Sequence, residues 1–234
     1  MRKQIILFLF LFFCIDASVE QEAFLKANSL YSQKKYDEAI RLYETIENKG
    51  SATLHNMGNC YFKMQEYVRA ILLWRKAQKN ASLKKFESIE KNIALAYDKL
   101  NRSYDSATSG FFKKIIYVIP LLTLQLLFLI FWFLLFLIFI CLKKLRMLIL
   151  SVLLPVTIVV AIILIAKYRD ELYQRGIVIK KEMALFSGPD TNYHKIGKAS
   201  MADEVVLLKS DKGWHKIKHG KYIGWVLADT IEII

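Results

Sequence analysis

The residues best suited to metal binding or thiol chemistry are few. Three cysteines (Cys14, Cys60, Cys141) and four histidines (His55, His194, His215, His219) are spread over 234 positions. The cysteines are far apart and form no CxxC, so neither a disulfide framework nor a structural zinc site is expected. Cys141 lies within an apolar run, His55 stands alone in a helical pattern, and the other three histidines sit among strand and turn residues. No paired carboxylates, nucleophile–base pair or glycine-rich phosphate loop stands out. The sequence therefore leads to the expectation of a protein without catalytic residues, metal ligands or a cofactor, and not an enzyme.

Charge does not supply a nucleic-acid site either. The net charge is +13, but residues 111–169 hold seven basic residues and no acid, so over half of the excess lies in one very apolar stretch. Basic residues placed this way read as membrane flanks rather than a phosphate-binding face. Ile115 to Leu142 is 28 residues without a charge, and Met147 to Ala166 is another 20. About 20 apolar residues cross a bilayer. Lys143, Lys144, Leu145 and Arg146 are all that separates the two runs. So short a link makes the helices antiparallel neighbours, and both ends of the hairpin leave on one face of the membrane. The basic link reads as cytoplasmic. Near the N-terminus, Arg2 and Lys3 precede the eleven apolar residues Ile5 to Ile15. This is too short to span and fits a secretory signal, with a short uncleaved anchor as the alternative. Residues 1–18 are thus read as signal or anchor, and 111–169 as two membrane helices (about 115–142 and 147–166).

Between these lies residues 19–110, with an internal repeat. Ala27-Asn28-Ser29-Leu30-Tyr31, then Tyr36, Ala39 and Tyr43, recurs 31 residues later as Gly58-Asn59-Cys60-Tyr61-Phe62, then Tyr67, Ala70 and Trp74. Small residues (Ala27, Gly58; Ala39, Ala70) let paired helices approach, and large aromatics fill the space between them. Residues 33–35 and 64–66 supply the turns. A third helix, Leu83 to Leu100, caps the stack. The pattern resembles the tetratricopeptide repeat (TPR), with two units present. By that resemblance Asn28, Tyr31, Asn59, Phe62 and Lys63 face a groove that binds a partner protein. The bland reading is that both asparagines satisfy local polar groups and both aromatics belong partly to the core.

Residues 170–234 switch to short β-type runs: Ile177–Lys180, Ala184–Phe186, Glu204–Lys209, Trp214–Lys218 and Tyr222–Val226. Five short strands in about 60 residues imply a small barrel or sandwich. The order Ala184-Leu185-Phe186-Ser187-Gly188-Pro189, Ile196-Gly197, Gly213-Trp214 and Gly224-Trp225-Val226 resembles the bacterial SH3 domain family. That family usually has arginine where Phe186 stands. Trp214 and Trp225 are expected to bury large areas. The resemblance implies binding of cell-wall peptides or docking of a protein.

The fold expected is therefore multidomain: an α-helical TPR solenoid, a transmembrane helical hairpin and a small all-β SH3-like barrel. This order is similar to the BatE-type family of the bacterial Bat (aerotolerance) operons. The resemblance implies a scaffold in the inner membrane, both soluble modules outside the cytoplasm, working with von Willebrand A domain membrane proteins and a MoxR-type ATPase. The rival expectation is a peptidoglycan binder acting through its SH3 domain. Nucleic acid is not an expected partner.

Overall fold

The structure, a computed structural model, describes residues 19–79, 81–104, 116, 118–141 and 146–234. The signal or anchor expected over 1–18, and the link residues 142–145, lie outside the described residues. The chain divides into two compact units, residues 1–80 with 87–104, and residues 81–86 with 105–234.

The helical unit opens with α1 over residues 19–32. There follow α2 (Tyr36–Glu44), α3 (Ser51–Lys63), α4 (Tyr67–Gln78) and α5 (Leu83–Lys99). The 31-residue repeat seen in the sequence is also a repeat of structure. The two intra-pair turns have matching hydrogen bonds. The Lys35 N–H donates to the Leu30 carbonyl, and the Glu66 N–H donates to the Tyr61 carbonyl. Each turn passes through the left-handed region, at Lys34 (φ 64°) and Gln65 (φ 67°). That is the Schellman ending of a helix, here made without glycine. Close packing rests on the small residues. Ala27, Ala39 and Ala70 are fully buried. At Gly58 an added Cβ would lie 2.6 Å from the Trp74 ring, so only glycine admits that indole.

The second unit holds α6 (Leu121–Cys141) and α7 (Arg146–Leu172). The first apolar helix runs unbroken from Leu121, directly after Pro120, and residues 116 and 118 ahead of the proline are also helical. Proline has no N–H to donate and disfavours helix in the residue before it. The second runs six residues beyond the expected 166, through Lys167–Leu172. The expected domain boundary at 170 therefore falls inside a helix. Pro155 sits within α7, as a membrane helix tolerates. Two stretches, Leu121–Ile140 and Ile149–Leu172, are long and apolar enough to cross a bilayer, and only 6% of each is buried in the protein. The rest of the described chain therefore leaves the apolar surface of both stretches uncovered.

Seven strands follow: β1 (Arg175–Val178), β2 (Glu182–Phe186), β3 (Lys195–Ser200), β4 (Glu204–Asp211), β5 (Trp214–His219), β6 (Tyr222–Leu227) and β7 (Ile231–Ile233). Five were expected. The two missed, β3 and β7, occupy the ends of the antiparallel order β3-β2-β6-β5-β4-β1-β7. One core cluster draws from every strand, including Val178, Leu185, Ala199, Leu207, Ile217, Val226 and Ile231. A sheet whose first and last strands share one core must curl on itself. Breaks in register at Leu185/Phe186 and Leu207/Lys209 supply bends. Lys212 (φ 40°) and Gly213 (φ 84°) form the β4–β5 turn, both left-handed. A two-residue hairpin with that backbone matches the right-handed strand twist.

Candidate functional site: two faces

The helical unit places its polar side chains along the first helices of each pair. Tyr43, fully buried on α2, donates its hydroxyl to Asn28 Oδ1 on α1 at 2.5 Å. Trp74, at the equivalent place on α4, donates Nε1–H to Asn59 Oδ1 on α3 at 3.2 Å. In both repeats an asparagine on the first helix thus holds the large aromatic of the second. The ladder then crosses between first helices. Asn56 Nδ2 donates to Asn28 Oδ1 at 2.8 Å, and Asn92 Nδ2 on α5 lies 3.2 Å from His55 Nε2. His55 Nδ1 is 3.3 Å from Asn56 Oδ1. Nδ1 also lies 3.4 Å from the Asn59 Nδ2 donor, so a ring protonated on Nδ1 donates to Asn56 and accepts from Asn92 at Nε2, whereas one protonated on Nε2 accepts from Asn59 instead.

The five residues singled out for the groove are therefore not alike. Asn28 and Asn59 hydrogen-bond within the stack. Tyr31 is half-buried with its ring centroid 5.4 Å from Tyr36. Phe62 is half-buried at the same 5.4 Å from Tyr67, and 5.6 Å from Trp74. Lys63 is exposed. Asn56, Asn92 and His55 belong to the same ladder and were not foreseen as a set. Asn56 and Asn59, three residues apart on a helix beside His55, were the readable hint.

A second polar group lies deeper. Arg75, Gln78 and Glu90 are buried together. Arg75 Nη1 donates to Glu90 Oε1 and Gln78 Oε1, each at 2.7 Å. Its Nη2 donates to the Tyr104 hydroxyl at 2.9 Å, and that hydroxyl donates to Glu90 Oε2. Tyr104 also stacks on Tyr97 at 5.0 Å. Burial raises the Tyr104 pKa well above its ordinary range. Burial likewise pushes the Cys60 thiol up to about 12 and the Tyr43 phenol up to about 12. Cys60 is fully buried and free, a packing residue rather than a nucleophile.

On the sheet, paired strands put Trp225, Lys216, Trp214 and Leu227 on the outward face, with Phe186, itself buried, beneath them, because Phe186 and Lys216 both pair with Trp225, and Trp214 pairs with Leu227. Trp214 and Trp225 are half-buried and lie outside the core cluster. Strand parity explains this: their neighbours Val226 and Ile217 take the inward positions. Phe186 meets Trp214 edge-on at 5.8 Å, and Lys216 Nζ stands 5.9 Å from the Trp225 ring. The arrangement is an aromatic strip with one cation over it, suited to flat contact with peptide or sugar rather than to bond-making. Two histidines here have side-chain partners: His215 Nδ1 with Ser210 Oγ at 2.8 Å, and His219 Nε2 with Asp203 Oδ2 at 3.2 Å, while the buried His219 Nδ1 has none among the described residues. Among the described residues, no three metal-capable side chains come together.

Two comparisons bear on these faces. No curated protein matches the chain. Residues 181–232, the sheet from β2 to β7, match the family described as the bacterial SH3 domain.

Proposed function

We propose that this protein is a non-enzymatic, membrane-anchored scaffold of the bacterial envelope. The observation that carries the proposal is the helical repeat joined, in one chain, to two apolar helices and an SH3-like sheet. The helix pairs resemble TPR units, and the first helices α1, α3 and α5 form the face that would seat a partner protein. The whole order is similar to BatE-type proteins. The partners this implies are von Willebrand A domain membrane proteins working with a MoxR-type ATPase, in an aerotolerance or stress-related complex. The apolar helices would anchor the chain as a two-pass hairpin in the inner membrane, with the repeat and the SH3 domain outside the cytoplasm. Holding two ligands on one molecule raises their local concentration without new contacts.

The test is photo-crosslinking in intact envelopes, with a photoreactive residue at position 63 of the full chain. The scaffold reading expects a crosslink to a von Willebrand A domain protein. It expects none from position 79, an exposed residue past the end of α4. Equal crosslinking from both positions, or from neither, would count against the groove.

A second reading is favoured by the aromatic strip and by the family match: a peptidoglycan binder that localises or regulates wall turnover. It expects the detergent-solubilised full chain to sediment with purified peptidoglycan, and Trp225→Ala or Lys216→Ala to reduce the pelleted fraction several-fold. A chain that stays in the supernatant would leave the scaffold reading standing alone.

A further inference from the structure

Neither reading above uses a cavity of about 330 Å³ at the end of α7. Ala166, Ile116, Tyr173 and Val206 give it apolar walls, and the charged groups at its rim are unevenly paired. Asp170 is engaged by Arg175, which also stands 4.0 Å from Glu204. Lys167, nearby on α7, is paired with Glu171 at 3.2 Å. Arg169 lines the cavity, and no ion-pair partner for it occurs among the described residues. The site thus offers one uncommitted guanidinium beside apolar surface. A guanidinium presents forked donors that match the oxygens of a phosphate.

Its depth points to where such a phosphate comes from. From Ile149, where the apolar span starts, twenty residues at 1.5 Å reach Arg169, about 30 Å along the axis. That is the thickness of a hydrocarbon core, so Arg169 stands at headgroup level when the span crosses a bilayer. Tyr168 and Tyr173, exposed on either side of it, fit the interfacial aromatic belt. Below them α7 exposes Ile158, Ile162 and Ile165, apolar surface for an acyl chain.

We propose that this cavity binds the phosphate headgroup of an anionic phospholipid, with Arg169 as its anchor. Val206 belongs to β4, so the bound lipid touches the sheet as well as the helix and holds the SH3 domain at the membrane surface. The proposal rests on the reading of α7 as a membrane span. Its failure is therefore separated from that reading by measuring insertion independently.

The experiment is native mass spectrometry of the detergent-solubilised full chain titrated with palmitoyl-oleoyl phosphatidylglycerol or the matching phosphatidylcholine. The wild type is expected to retain one phosphatidylglycerol in preference to phosphatidylcholine. Arg169→Gln is expected to weaken that retention about fivefold, the weight of one basic residue at an anionic surface. Ala166→Phe, which fills the cavity without touching a charge, is expected to weaken it too. Lys221→Gln, remote on the sheet, is expected to leave it unchanged. Millimolar inorganic phosphate is expected not to displace the lipid. Equal retention of the two lipids, or retention unaltered by both cavity variants, would overturn the proposal. So would displacement by inorganic phosphate, which would make this a site for free phosphate. Carbonate extraction from phosphatidylcholine vesicles reports insertion. Resistance to extraction without lipid preference rejects the lipid site alone, whereas extraction into the supernatant rejects the membrane span and the lipid site together.

Discussion

Asn28 shows how a single polar side chain can decide the packing of a helix pair. Its carboxamide oxygen accepts from both the buried Tyr43 hydroxyl and Asn56. Asn28→Leu would strand that hydroxyl away from water, at a cost of about 1–3 kcal/mol. Tyr43→Phe removes donor and hydroxyl together and is expected to cost roughly 1 kcal/mol. Denaturant melts of the helical unit, followed by circular dichroism, compare the two variants. A larger loss for Tyr43→Phe than for Asn28→Leu would refute this account of the ladder. Cys60 makes a prediction in pH. Its folded value of about 12 exceeds the ordinary 9.0 because burial disfavours the thiolate. A raised folded pKa means that the folded state holds the proton more tightly. Its contribution to stability is whole below about pH 9 and is lost as pH climbs toward about 12. Tyr43, raised to about 12 from 10.0 for the same first cause, acts in the same direction. Melts at pH 8 and pH 11 should show lower stability at the alkaline end. In Cys60→Ala part of that pH dependence should disappear.

Elements differ in how plainly the sequence announces them. The repeat was legible because packing a helix pair demands small residues at fixed places. Gly58 illustrates it: an added methyl group would lie 2.6 Å from the Trp74 ring, so Gly58→Ala is expected to destabilise the helical unit clearly more than Ala52→Gly, an exposed change on the same helix. The apolar helices were legible from length and lack of charge, though their starts and ends were set by Pro120 and by the charged turn Lys167–Leu172. Strands β3 and β7 were not legible as strands: β7 has only three residues, and β3 carries Lys195, Gly197, Lys198 and Ser200 in place of an alternating apolar pattern. The network of Arg75, Gln78, Glu90 and Tyr104 was equally hidden. Its members lie up to 29 residues apart, and nothing in the local pattern of charges marks Arg75 as buried. Removing one member leaves a buried charge uncompensated. Glu90→Ala is expected to cost about 3–5 kcal/mol, and Glu90→Gln less, since it keeps one acceptor. Equal melting of both variants and the wild type would mean that the pair contributes no stability.

At the scale of the molecule, the account turns on how many times the chain crosses the membrane between its two modules. Two apolar helices in sequence return the chain to the side it left. A partner held by the helical face and a ligand held on the Phe186–Trp214–Trp225 strip would then share one aqueous space. A single crossing would place them on opposite sides, and tethering would have no meaning. The deciding measurement is cysteine labelling of intact cells with a membrane-impermeant maleimide. Lys91→Cys reports the helical unit and Lys221→Cys the sheet, with the unsubstituted chain as the blank. The account predicts that both engineered sites are labelled before lysis. Labelling of one only, with the other reached solely after the cells are opened, would contradict it.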